Sequence, residues 1–272
     1  MESKSVSLTA RKNLIDKYHQ ETLALYKEHN LNSLMGIHAD YLVNNVNILG
    51  WFLDIQSAVN KARNRDDLDI KPYFDDLIFC SEEILHFTSQ VFMFRPFINN
   101  PIEDQIPFYD RIVYPNLQNL YGKRYNMYLA VLAEKHYNYW DRIGDLLAFI
   151  LNKNKDTDKI YFAKIIDSIP AKFRQSKNYQ WLKKFKDGNY QKISKLRQRI
   201  THETSFNTQY TQDHLKAPDD LNEMHKLQNN HKRLSEFYKD QMLNTIEGFK
   251  ICLLLSEEII GIPTLQDKNK IN

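Results

Sequence analysis

"WDRIGDLLAFIL" (Trp140–Leu151) is the densely apolar end of a helix that the sequence predicts from about Leu117 to Asn152. Upstream of it, Pro96, Pro101, Pro107 and Pro115 forbid a long helix and mark a candidate boundary. Before that boundary, apolar residues from Leu34 to Val59 recur at offsets of three and four. They predict a helix over 33–62 with Ser33 as its cap. A further helix is expected from Pro72 to Arg95, and residues 9–29 show a rough helical period. Downstream, short helices at about 158–168 and 177–186 lead into one from about Asn189 to Thr201. "ETSFNTQYTQDHLKAP" (203–218) reads as a polar loop. Pro218 and Asp219-Asp220, with Glu223 three after Asp220, signal the start of a last helix, which Gly261-Ile262-Pro263 stops. No strand alternation of useful length occurs. The expected fold is all-α, a bundle of long antiparallel helices. It divides into an N-terminal helical region 1–116, a helical domain 117–263 and a polar tail 264–272.

The composition, 42% hydrophobic and 26% charged over 272 residues, is that of a globular chain able to bury a core. Only seven glycines are present, and no glycine-rich phosphate loop exists, which sets aside the common nucleotide-binding motifs. Cys80 and Cys252 sit among apolar neighbours, as buried thiols do in a reducing compartment. "MESKSVSLTARK" has no apolar core of a secretory signal, and "FKICLLLSEEIIG" is interrupted by Ser256, Glu257 and Glu258. A cytoplasmic location and no membrane partner are therefore expected.

Metal and hydrolase chemistry find little support. Glu83-x-x-His86 has the spacing of half a carboxylate-bridged di-iron site, but no second such pair exists. His225 and His231 lie six apart on one helix, too far round it for a zinc pair. No Gly-x-Ser-x-Gly elbow is present. No metal and no cofactor are expected.

Charge is more informative. The net charge is +3, yet residues 171–200 carry ten Lys or Arg against the single acid Asp187, leaving −6 for the remainder. Phe173, Tyr179, Trp181, Phe185 and Tyr190 interleave with these cations, the mixture that binds single-stranded nucleic acid by charge and stacking. Alternatively the aromatics face the core and the lysines face water. Lys183, Lys184, Lys186, Lys192 and Lys195 are the candidate RNA contacts.

The island runs into "KLRQRITHETSF" (195–206), where two guanidiniums precede an imidazole. Arg197-x4-His202 resembles the Arg-x4–6-His signature of the HEPN superfamily of helical domains. The earlier apolar helix with Asp141 and Asp145, and the basic segment between, add to the likeness, which spans about 121–260. Gln198 departs from the Asn, Asp or His often found after the motif arginine. The resemblance implies a metal-independent endoribonuclease, of the kind used as toxins or in phage defence. Arg197 and His202 would be catalytic. Gln198 and Glu203 would orient them, and Asp141 or Asp145 would hold Arg197 or Arg199.

Such chemistry needs these residue types. Imidazole titrates near pH ~6.5 in water, so a histidine can take the proton from a ribose 2′-OH at cellular pH. A guanidinium stays charged and offers a planar fork to phosphate oxygens. The products would be a 2′,3′-cyclic phosphate and a 5′-hydroxyl. Five positions along an ideal helix rotate by about 140°, so Arg197 and His202 do not share a face. Either the helix ends near Thr201 and swings His202 round, or a second copy completes the site, as the resemblance to homodimeric domains implies. A catalytically silent helical module, binding nucleic acid or a protein, is the alternative. A toxin held by an antitoxin protein of a nucleotidyltransferase-like kind is a third reading.

Overall fold

In the computed structural model the described residues are 7–36, 40–64, 69–114, 118–153, 161–216, 220–263, 268 and 270. They form nine α-helices and two small hairpins, so the fold is all-α. In order these are α1 (Leu8–Glu28), β1 (Leu42–Val43), β2 (Val46–Asn47), α2 (Ile48–Arg63) and α3 (Lys71–Phe94). Then follow β3 (Ile106–Phe108), β4 (Arg111–Val113), α4 (Leu120–Ile150), α5 (Phe162–Ser168) and α6 (Lys177–Phe185). The chain closes with α7 (Gln191–His202), α8 (Phe206–Lys216) and α9 (Leu221–Ile260).

Local chemistry sets most of these ends. Asn47, Asn119, Ser176 and Asp220 cap α2, α4, α6 and α9, each side chain accepting from a backbone N–H in the first turn. Arg63 closes the other end of α4, its Nη2 donating to the carbonyls of Phe149 (2.6 Å) and Ile150 (3.0 Å). α9 stops at Gly261, whose φ of 79° is the left-handed cap glycine favours. At 40 residues α9 is about 60 Å long, the spine of the molecule.

α4 lies between α3 and α9, with α2 and α6 against α9 and α7 against α4. One hydrophobic core runs from Leu31 to Leu255, with Trp51, Phe74, Trp140 and Phe249 fully buried within it. α3 and α4, from either side of the proline-rich segment, share that core. Close approach depends on two glycines. A Cβ at Gly144 would stand 2.8 Å from the backbone nitrogen of Phe162, and one at Gly248 would stand 2.2 Å from Trp140 Cη2. No helix among the described residues is long and apolar enough to cross a membrane.

The helix expected over 33–62 begins only at Ile48. Asn44 and Asn45, at φ 50° and 60°, make the two-residue turn of a hairpin, and Asn47 provides the cap. Ser33 instead is buried, its hydroxyl donating to Glu82 of α3. The expected polar loop 203–218 contains α8. Phe206, Tyr210 and His214, each four residues on from the last, bury one face of it, a stripe that its polar composition conceals. Pro218 and Asp219 of the expected α9 start lie outside the described residues. The proline-rich segment holds the hairpin β3–β4, all six residues of it exposed.

Two buried imidazoles give this core an acid dependence. Burial pulls the pKa of His136, stacked on Tyr238, down to about 3, and that of His231 likewise to about 3. Both rings are neutral when folded, whereas in the unfolded chain they bind protons below about pH 6.5. Stability present above that value is therefore lost as pH falls from about 6.5 toward 3, by at most about 1.4 kcal/mol per pH unit per histidine. Urea midpoints are expected to fall between pH 7 and pH 5, and to fall less in His136→Phe. Parallel pH curves for the two proteins would remove His136 from this account.

Candidate active site

The basic island folds as one rod. α6 passes through a π-helical turn at Lys186–Tyr190 into α7, and the bulge turns Tyr190 inward. The Tyr190 ring stacks on Tyr137 of α4, 5.8 Å between centroids, and its hydroxyl donates to Asp141 Oδ1 at 3.4 Å. This seats α7 against α4 with Arg197 one turn short of its end.

Two groups of α4, Glu134 and Tyr137, hold the Arg197 side chain. Its Nε donates to both carboxylate oxygens of Glu134, at 3.2 Å each, and its guanidinium lies 5.0 Å from the centroid of the Tyr137 ring. Thr201, one turn on, donates its hydroxyl to the same Glu134 at 3.0 Å and to the Arg197 carbonyl at 2.9 Å. Among the described residues the guanidinium makes both its hydrogen bonds through Nε, leaving the paired Nη groups free. The pair is about one-third exposed, so solvent screens it, and its net contribution to stability is at most about 1 kcal/mol.

α7 continues through His202, so the chain does not swing that imidazole round to Arg197. His202 and Glu203 stand exposed at the helix end, and Gln198 is exposed beside them. The side chains of Gln198 and Glu203 make no hydrogen bond or ion pair to described residues. Among the described residues neither acid expected to hold the arginines makes a hydrogen bond or ion pair to them, although the charge of Arg197 acts on Asp141 and favours its ionised form. Asp141 accepts from the Phe162 N–H (3.3 Å) and from Tyr190, and burial raises its pKa; Asp145 meets Arg142 at 3.4 Å. Glu134 and Tyr137, which contact Arg197, escaped the sequence reading. Their positions three apart on α4 were the signal available.

The cationic island is less open than its composition. Lys183 and Lys186 bind Asp167 and Asp187, and Lys186 is only 6% exposed. Lys184, Lys192 and Lys195 remain exposed. Tyr179, Phe185 and Tyr190 are buried. Trp181 lies parallel to Phe185, which packs 3.9 Å from Trp140. Tyr179, Phe185 and Tyr190 thus serve the core, while Phe173 and Trp181 are half-buried against it. Glu83 pairs with Lys135, and among the described residues no three His, Cys, Asp or Glu gather as a metal site would need.

The Glu134–Arg197 contact isolates a testable element. Glu134→Gln keeps the shape but removes the charge that orients Nε. Its melting temperature is expected to stay within a few degrees of wild type while any Arg197-dependent rate drops roughly tenfold. An unchanged rate would show that Arg197 needs no such support.

No curated protein and no solved structure matches this chain. A family model does: that of the Cthe2314-like HEPN domains, over residues 85–253. The matched segment starts inside α3, covers α4 to α8 and ends within α9, so it includes the Glu134–Arg197 contact and His202. Because it takes in well over half of the residues, the chain belongs to the HEPN superfamily as a Cthe2314-like member.

Proposed function

We propose that this protein is a metal-independent endoribonuclease that cleaves RNA by attack of a ribose 2′-OH on the adjoining phosphate. The observation that carries the reading is the environment of Arg197, with Nε oriented by Glu134, the guanidinium over the Tyr137 ring and neither Nη hydrogen-bonded among the described residues. A fork so held is prepared to take two phosphate oxygens as negative charge grows on them. His202, exposed at the end of the same helix, is the base that takes the 2′ proton. Helical twist keeps the two groups of one chain apart, which favours a homodimer in which each copy completes the other's site. Lys184, Lys192 and Lys195 draw the strand in. Gln198, Glu203 and Arg199 line its path, and the protein acts in the cytosol as a toxin or defence effector restrained by a partner protein.

One observation favours the silent-module reading: the Glu134–Arg197–Thr201 contacts also tie α7 to α4. The readings separate in a single assay. Purified protein incubated with RNA in EDTA is expected to produce fragments ending in 2′,3′-cyclic phosphate. Intact RNA, with binding retained, would instead establish the silent module.

A further inference from the structure

A hollow opens where the rod of α6, the π-turn and α7 lies against α9. It has a volume of about 330 Å³ and is lined by Trp181, Lys184 and Phe185 of α6, Gly188 and Asn189 of the π-turn, and Asn244 of α9. No acid is among these residues. Single π-turns inside helices occur frequently at functional sites. A Cβ at Gly188 would meet nothing within 4 Å, so the rim is open on that side.

The polar groups of this lining keep their access to water. The indole N–H of Trp181 and the amide of Asn189 are not buried, and they make no hydrogen bond to described residues. Asn244 engages only its Nδ2, which donates to Gln241 Oε1 at 3.3 Å, and its Oδ1 is also reachable from solvent. Lys184 is exposed and makes no ion pair to described residues. Of the nearest acids along the chain, Asp187 is held by Lys183 and Lys186, and Asp240 stands exposed one turn before Asn244. The Trp181 ring is half-buried and lies parallel to Phe185, 5.6 Å between centroids, and Phe185 packs on Trp140. Lys192, Lys195 and Arg199 follow at steps of three and four along α7, which keeps them on one side of the rod as it runs to His202.

A planar ring set against Trp181 would extend the series Trp140, Phe185, Trp181, and the two amides beside it supply donors and acceptors for the edge of that ring. The volume is at the lower end of ligand pockets and suits one ring system. Lys184 at the mouth calls for a negative charge next to the ring. An aromatic side chain of a protein brings no such charge, and a duplex would keep its bases from the indole. We propose that this hollow takes one base of a single-stranded RNA, stacked on Trp181, with its edge on Asn189 and Asn244 and its phosphate on Lys184. The strand then follows Lys192 and Lys195 toward His202. That continuation rests on the ribonuclease reading. The chemistry of the hollow does not.

The chain has three tryptophans, and Trp51 and Trp140 are fully buried, so the indole of Trp181 reports on this hollow alone. In the His202→Ala protein carrying nitrogen-labelled tryptophan, a short oligoadenylate is expected to shift the Trp181 indole resonance and to leave the other two in place. That readout needs no variant of the hollow to fold. Trp181→Leu should weaken oligoadenylate binding roughly tenfold, and Asn189→Ala with Asn244→Ala several-fold. Lys184→Gln should weaken it too and lower the salt slope by about one. A strand of equal length without bases should bind no better than the oligoadenylate binds the Trp181→Leu protein. An unmoved Trp181 resonance at saturation, or AMP binding as tightly as the oligoadenylate, overturns the proposal. RNA cleaved by wild type with that result would leave the nuclease reading intact. A shifted Trp181 resonance in a protein that cuts no RNA would uphold the hollow and end that reading.

Discussion

Replacing His202 with alanine is expected to abolish RNA cleavage, lowering the rate by roughly 10²–10⁴-fold, the range for removing a positioned general base. The melting temperature should not move. His202 is exposed at the last position of α7, and loss of its ring uncovers no core. Arg197→Ala should match it in rate if, as proposed, its Nη fork meets the phosphate. Mixing the two inactive variants offers a stricter form of the same test. If each copy lends one group to a shared site, mixed dimers regain a fraction of wild-type activity. Full activity in the His202→Ala protein would end the nuclease proposal, and a lowered melting point in both variants would recast the motif as a structural clasp.

Trp140→Ala is expected to cost about 3–5 kcal/mol, a large share of the roughly 5–15 kcal/mol that holds a domain folded. Trp140 is fully buried on α4, with Phe162 at 5.0 Å and Phe185 at 3.9 Å between ring centroids, and Gly248 of α9 lies beneath its six-membered ring. Three elements, α5, α6 and α9, therefore converge on one indole. Its removal leaves a cavity that none of them can close alone, since α9 also packs against α2, α3 and α8. Urea titration would measure the loss. A cost below about 1 kcal/mol would mean that the elements repack freely and that the basic rod is not anchored there.

The helical class was legible because α3, α4 and α9 carry long apolar stripes with a stop or a cap at each end: Pro96 after α3, Gly261 after α9. Where the reading failed, local chemistry competed with pattern. Apolar residues from Leu34 to Leu42 keep a helical spacing, but Asn44 and Asn45 prefer the left-handed turn of a hairpin, and Asn47 restarts the helix. α8 was hidden for the opposite reason. Its three buried residues are an aromatic pair and a histidine among polar neighbours, too few for composition to register.

The candidate site divides along the same line. Arg197 and His202 were visible as a spaced pair because both lie on one continuous helix, and spacing along a helix is a property of sequence. The choice of Glu134 over Asp141 or Asp145 as the partner of Arg197 was not. Which carboxylate of α4 faces α7 depends on how the π-turn rotates one rod against the other, and Tyr190 occupies Asp141 as a result. The aromatic content of the basic island was equally plain, yet only the tertiary packing decided that Tyr179, Phe185 and Tyr190 face inward while Phe173 and Trp181 stay half-buried. Sequence by itself determined the long helices α3, α4 and α9, their order and the charged motif, since these follow from short-range periodicity and caps. Tertiary structure decided which charges pair and which imidazoles lose water, because those outcomes depend on residues far apart in the chain sharing one low-dielectric space.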